Sequence, residues 1–170
     1  EDGTVRSLDA RSGKEKWSTS VYALSVDADA SGVYALSESG VVTAMGPSDG
    51  KVRWTAKSDA SRVFIAGKRL VLEAGARLAT YDTETGAVAW SVTAGDLAGE
   101  TGATITAVAE AETMLYVLIA RTGKNGTVAA VDFDGKTMWK AEGPSAPSAV
   151  PPTPNIAGVI SLWADSAAMY

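Results

Sequence analysis

Cysteine and histidine are both absent from this chain of 170 residues. Without cysteine there is no disulfide, no thiolate metal site and no cysteine nucleophile. Without histidine there is no Ser–His dyad and no imidazole base or ligand titrating near neutral pH. Zero cysteines do not name a compartment, because oxidising and reducing ones both tolerate them. Basic charge is also scarce: 15 Lys and Arg stand against 20 Asp and Glu, for a net charge of −5. Nucleic acid and anionic membrane surfaces need a basic footprint, so neither is expected as the main partner. No apolar run approaches the roughly twenty residues of a transmembrane helix, so this segment is not expected to insert into a membrane. The chain opens at Glu1 with neither Met nor an apolar leader. Processing or trimming is therefore expected, with any targeting signal outside view.

What is present is a chain 46% hydrophobic with 17 Gly and 5 Trp, enough for about one domain with a real core. Four of the tryptophans, Trp17, Trp54, Trp90 and Trp139, each have a glycine four residues earlier: Gly13, Gly50, Gly86 and Gly135. Random placement would give roughly 0.5 such pairs, so the pattern marks a repeat. The tryptophans lie 37, 36 and 49 residues apart, which fits one unit repeated with a longer loop in the third interval.

Aligning the Gly–Trp pairs brings the preceding residues into register. One column holds Val5, Val42, Leu78 and Val128, and a second holds the small residues Ser7, Ala44, Thr80 and Ala130. On the opposite face sit Leu8, Met45, Tyr81 and Val131. Apolar or small residues on both faces at period two describe a strand buried on both sides. Turns follow at Asp9–Gly13, Gly46–Gly50, Asp82–Gly86 and the shorter Asp132–Gly135, each closed by a glycine suited to a left-handed residue. Each unit therefore ends in a hairpin whose last strand delivers a Trp.

Further hairpins are expected between these: Val21–Val26 with Val33–Ser37, Arg62–Ala66 with Leu70–Glu73, Thr104–Ala109 with Met114–Ala120, and a last pair from Ile156 to near Tyr170. No convincing 3.6-residue periodicity is present, so the chain reads as all-β with roughly sixteen short strands. Thr93–Thr104 reads as a polar, Gly-rich connection. Gly143–Pro154, with five of the six prolines, reads as extended loop in preference to strand or interdomain linker.

The pattern Ala-x-Asp-x-x-x-Gly-x-x-x-Trp resembles the tryptophan-docking signature of the PQQ-like, or quinoprotein-type, β-propeller repeat. Its Ala position is filled by Ser7, Ala44, Thr80 and Ala130, and its Asp position by Asp9, Gly46, Asp82 and Asp132. The resemblance implies blades of four antiparallel strands, with the Trp of each outermost strand docked on the neighbouring blade and its indole N–H needing an acceptor. Gly46 in place of Asp puts one docking hydrogen bond in doubt. Four blade-equivalents are expected: a half-blade over 1–18, blades over about 19–55, 56–91 and 92–140, and a half-blade over 155–170. Propellers of this resemblance commonly have eight blades. Residues 1–170 are then a single closed four-bladed domain, half of a larger propeller, or half of an eight-bladed ring completed by a homodimer.

Quinoprotein dehydrogenases of this resemblance hold PQQ and Ca²⁺ at the ring axis with a catalytic Asp, and many have a disulfide of adjacent cysteines. This chain has no cysteine and no assignable carboxylate cluster, so neither catalysis nor PQQ is expected. The resemblance implies instead a non-catalytic scaffold, binding or sensor module in an extracytoplasmic setting, with a protein or small ligand at a ring end. A fragment of a PQQ-dependent oxidoreductase is the alternative. Asp27, Asp29, Ser31 and Glu38 have the spacing of a calcium loop, but strands flank it and a polar hairpin turn is the preferred reading. Lys14, Lys16, Lys51 and Arg53 form a basic stripe read as a solvated edge. Asn125-Gly126-Thr127 is read as a turn rather than a glycosylation site. Trp163 is left open between core and ligand platform.

Overall fold

The computed structural model describes residues 3–111 and 113–145. Period-two alternation becomes strand along almost all of them. β1 (Thr4–Leu8) and β2 (Glu15–Ser20) form a two-stranded sheet. Three four-stranded sheets follow, each in the order of the sequence. The first contains β3 (Ser25–Ala28), β4 (Val33–Leu36), β5 (Val41–Met45) and β6 (Val52–Lys57). The second contains β7 (Arg62–Ala66), β8 (Arg69–Ala74), β9 (Arg77–Asp82) and β10 (Val88–Thr93). The third contains β11 (Thr104–Ala111), β12 (Met114–Ala120), β13 (Asn125–Asp132) and β14 (Thr137–Ser145). This is the all-β, four-stranded blade architecture of a propeller. The expected last hairpin, Ile156 to Tyr170, lies outside the described residues, as does Trp163.

Within a blade the two middle strands are buried on both faces, whereas the fourth alternates with solvent, as in β6 and β10. That is why the repeat's middle columns are apolar or small throughout. The small column has a specific cause: Ser7, Ala44 and Ala130 lie directly opposite Trp17, Trp54 and Trp139 across the strand pair, where a large side chain would compete with the indole. One residue later each pair shifts register, between Ser7 and Leu8, Ala44 and Met45, and Ala130 and Val131. The same bulge therefore recurs at the same place in three copies.

The chain divides into two compact units, Glu1–Ala74 with Ala79–Ala89, and Gly75–Leu78 with Trp90–Tyr170. The first is centred on Tyr34, Leu36, Val42, Leu70 and Tyr81, with Trp54 packed against them, and on a second cluster of Val5, Trp17, Ala35 and Met45. In the other, Leu97, Leu115, Val117, Ile119 and Val131 are buried almost completely. Each such side chain contributes about 1.5–3 kcal/mol relative to exposure.

Four local expectations are corrected. Strand β3 covers Ser25–Ala28 rather than Val21–Val26, because Val21 and Ala23 pack on the Val5–Trp17 cluster instead of pairing. Strand β14 runs on to Ser145 into the expected proline loop. It is the last strand of its sheet, and such an edge tolerates a proline without losing a ladder bond. The third connection holds a five-residue helix, α1 (Ala94–Ala98), set by a capping box. There the Thr93 hydroxyl accepts from the Asp96 N–H at 3.0 Å and the Asp96 carboxylate accepts from the Thr93 N–H at 3.2 Å. The helix stops at left-handed Gly99. Finally, the turn before β13 lies at Thr122–Lys124 around left-handed Gly123, and Asn125 is already strand, its amide donating to Glu142.

Candidate functional site

The repeat's turns are built by their acidic residues. The Asp9 carboxylate accepts from the backbone N–H groups of Arg11 and Ser12 and from the Ser12 hydroxyl, at 3.2, 2.9 and 2.8 Å. Asp82 accepts the equivalent set from Glu84 and Thr85 at 3.1, 2.8 and 2.8 Å. Asp132, in the copy shorter by one residue, accepts from Asp134 N–H and Lys136 N–H. These bonds favour the charged form: the Ser12 N–H and hydroxyl hold the Asp9 carboxyl below its ordinary value, and the Thr85 hydroxyl and N–H do the same for Asp82. The second copy has exchanged the parts. Gly46 replaces the Asp, and Asp49 stands where Ser12 and Thr85 stand, its carboxylate accepting from the Lys51 N–H at 3.1 Å.

The closing glycines are left-handed, with φ of 68° at Gly13, 66° at Gly50, 71° at Gly86 and 88° at Gly135. Three of them also lie under an indole. A Cβ on Gly86 would stand 2.6 Å from the Trp54 ring and one on Gly135 2.7 Å from the Trp90 ring; one on Gly50 would meet Trp17 more closely still. Each of these tryptophans donates its Nε1–H to a main-chain carbonyl of the same turn: Trp17 to Pro47 at 3.0 Å, Trp54 to Thr83 at 3.1 Å and Trp90 to Phe133 at 2.8 Å. In every case the acceptor follows the motif's Asp position by one residue. Gly46 therefore removes no docking hydrogen bond, because the acceptor is the backbone of the next residue and not the Asp side chain. These carbonyls were not singled out by sequence reasoning. The only signal for them was their fixed place in the alignment, since Pro, Thr and Phe share no side-chain chemistry.

The remaining members, Gly13 and Trp139, are not brought onto a partner among the described residues. Among the described residues, chain neighbours aside, nothing lies within 4 Å of a Cβ on Gly13. Trp139 is 39% exposed, with Tyr116 tilted against it at a centroid distance of 5.9 Å.

The calcium-type residues have other partners. Asp27 accepts from the Ile65 N–H of β7 at 2.7 Å and from the Ala28 N–H. Asp29 closes the β3–β4 hairpin by accepting from Ser31 and Gly32. Among the described residues no group of carboxylates suited to a metal ion forms, with Asp27, Asp29, Ser31 and Glu38 included. In the basic stripe Lys16 lies 3.7 Å from Asp9, Lys51 3.5 Å from Asp49, and Arg53 donates to the Tyr34 hydroxyl at 3.2 Å. Among the described residues no helix is long and apolar enough to cross a membrane.

Four-stranded blades joined by indole-to-turn contacts define the class: a PQQ-like β-propeller repeat protein. The family described as outer membrane protein assembly factor BamB matches residues 1–152, and the chain belongs to that family. Among solved structures it is similar to BamB from Moraxella catarrhalis, with 22% identity and a TM-score of 0.63, over 83% of this chain and 47% of that one. It is also similar to the quinohemoprotein alcohol dehydrogenase from Comamonas testosteroni, with 14% identity and a TM-score of 0.56, over 83% and 32%. The computationally designed Ika4 protein matches at 16% identity and a TM-score of 0.60, over 77% and 81%. At these identities the likeness is one of fold. The chain spans about half the length of the Moraxella BamB and about a third of the dehydrogenase. No curated protein matches the chain.

Proposed function

We propose that the chain is a non-catalytic binding or scaffold module of the cell envelope, serving the assembly of outer membrane proteins as its family's description suggests. One observation supports this reading: the acidic side chains of the repeat turns, and Asp27 and Asp29 of the calcium-type loop, are engaged in architecture. Asp9, Asp82 and Asp132 close the repeat turns, Asp29 closes a hairpin and Asp27 ties β3 to β7. Fold alone does not separate the assembly factor from the dehydrogenase, so the site has to. The tryptophans are the repeat's docking residues in this reading, holding blade to blade. The ligand surface is an end of the ring, where the connection Thr93–Thr104 with its capped helix α1 presents recognition elements on a rigid support. The partner class is protein, and the setting is extracytoplasmic.

The immobilised chain is to be titrated with an outer-membrane β-barrel polypeptide freshly diluted from urea. In parallel it is assayed with PQQ, Ca²⁺, an alcohol and a redox dye. Saturable polypeptide binding without dye reduction is the expected result. Absence of binding, or dye reduction that needs both PQQ and the alcohol, overturns the reading.

A further inference from the structure

The first strand of a blade has one edge that its own sheet leaves unpaired. β7 is such a strand, last in the order β10-β9-β8-β7. In an antiparallel ladder the main-chain groups of alternate residues point to opposite edges. Val63 and Ile65 turn theirs away from β8, and three of those groups are met by side chains of β3. The Asp27 carboxylate accepts from the Ile65 N–H at 2.7 Å. The Ser25 hydroxyl donates to the Val63 carbonyl at 3.3 Å and accepts from the Val63 N–H at 3.4 Å. The other oxygen of Asp27 accepts from the Ala28 N–H at 2.8 Å, which fixes the direction of the carboxylate.

The fit lies in the spacing. Ser25 and Asp27 are two residues apart on β3, as Val63 and Ile65 are on β7, and both pairs repeat at about 6.6–6.8 Å. Ser25 stands beside Val63 and Asp27 beside Ile65, so the two strands run in the same direction. Two side chains thus take the place of a parallel strand along β7. The side chains of Val63 and Ile65 meanwhile pack with Tyr34, Leu36 and Leu70. A slip of β7 by one residue would withdraw the apolar side chains and the bonded main-chain groups together.

The pair is particular to β3. Along the ladders Asp27 faces Tyr34 and Tyr34 faces Ala44, just as Ala109 faces Tyr116 and Tyr116 faces Ala130. Ala44 and Ala130 fill the same motif position, so Ala109 is the counterpart of Asp27 in β11. By the same route, through Leu36 to Val42 and Leu118 to Val128, Ala107 is the counterpart of Ser25. An alanine side chain offers no hydrogen bond.

We propose that Ser25 and Asp27 form a recognition site for the free edge of β7, a substitute for a strand that specifies which blade follows that of β3. An unpaired edge is a template for any strand that reaches it. Here it is closed by the one strand that carries a hydroxyl and a carboxylate at the required step. The indole contact, by contrast, has the same parts at three turns. The site is independent of what the module as a whole binds.

The test combines residue-resolved amide exchange with refolding from urea, on the full chain and its variants. Asp27→Ala should speed exchange at Ile65 by about tenfold to a hundredfold and leave Val63 near its wild-type rate. Ser25→Ala should do the reverse, by about three- to tenfold, because its bonds are neutral and longer. Asp27→Asn keeps an oxygen and falls between wild type and Asp27→Ala. Phe64, opposite Val71 in the sheet, is the reference. A variant that accelerates Val63, Phe64 and Ile65 alike overturns the proposal, as does an Ile65 amide that Asp27→Ala leaves unchanged. The double variant tests the choice of neighbour. It should refold with an added slow phase in tryptophan fluorescence, as blades that have met the wrong neighbour separate. A pair that only adds stability would speed unfolding and leave the refolding phases as in wild type, and that result also overturns the proposal.

Discussion

Substituting glycine by alanine at two equivalent turns separates what the backbone requires from what the indole requires. Gly86 and Gly13 have nearly the same φ, 71° and 68°, so alanine at either position bears a left-handed strain of about 1–2 kcal/mol. Only at Gly86 does the new methyl collide, standing 2.6 and 2.7 Å from two atoms of the Trp54 ring. The ring must then lift off the turn. It forfeits the 3.1 Å bond to the Thr83 carbonyl, about 1 kcal/mol net, and part of its contact with Tyr34, centroids 6.0 Å apart, worth a further 0.5–1 kcal/mol or so. Gly86→Ala should therefore cost about 3 kcal/mol and Gly13→Ala about 1–2. With a urea slope of about 2 kcal/mol/M, the gap lowers the midpoint of Gly86→Ala by nearly 1 M relative to Gly13→Ala. The assay is urea unfolding followed by far-UV CD at low micromolar concentration. Midpoints that agree to within about 0.2 M would refute the argument and leave these glycines with a backbone role only.

Trp90→Phe leaves the Phe133 carbonyl without its 2.8 Å donor and should cost about 1–1.5 kcal/mol, against less than about 0.5 for Trp139→Phe in dilute solution, both read by urea unfolding. Gly46→Asp should destabilise, because its Cβ would meet the Asp49 carboxylate, whereas Gly46→Asp combined with Asp49→Thr rebuilds the Asp82–Thr85 arrangement and should restore the wild-type midpoint. Asp82→Asn should lower the melting temperature above the ordinary carboxyl pKa of 3.8. That difference vanishes as pH falls through the lowered pKa of the folded state, where wild type too has lost its charge. Glu73 runs the other way: burial raises its carboxyl above the ordinary 4.5 against the opposing pull of Arg62, 3.6 Å distant. Wild type should lose ground to Glu73→Gln as pH rises from 4.5 through that raised value, and melting curves from pH 4 to 8 would show it.

The repeat was legible because its determinants are side chains at fixed spacing. Glycine four before tryptophan, a small residue opposite the indole and a large apolar residue before the turn are all choices of residue type. What escaped the reading has a different physical origin. The carbonyls of Pro47, Thr83 and Phe133 belong to the backbone, which every residue carries. Helix α1 is five residues long, too short for periodicity to register, although Thr93-x-x-Asp96 and Gly99 were its visible caps. The late start of β3 depended on where Val21 and Ala23 found apolar neighbours, a tertiary matter that a run of alternating residues does not encode.

In its hydrogen bond and its closest approach the indole meets a peptide carbonyl and a missing Cβ, two features that are the same at each of the three turns. No charge or side-chain acceptor takes part in these three hydrogen bonds, so this one contact does not depend on which blade supplies it, whereas ties such as Asp27 to the Ile65 N–H do. A gene for such a chain can lose, duplicate or permute a blade at a turn, and the new neighbours will meet through the same contact. The corresponding hazard arises during folding, when a tryptophan can seat itself one blade too far along and must leave again before the correct order is reached.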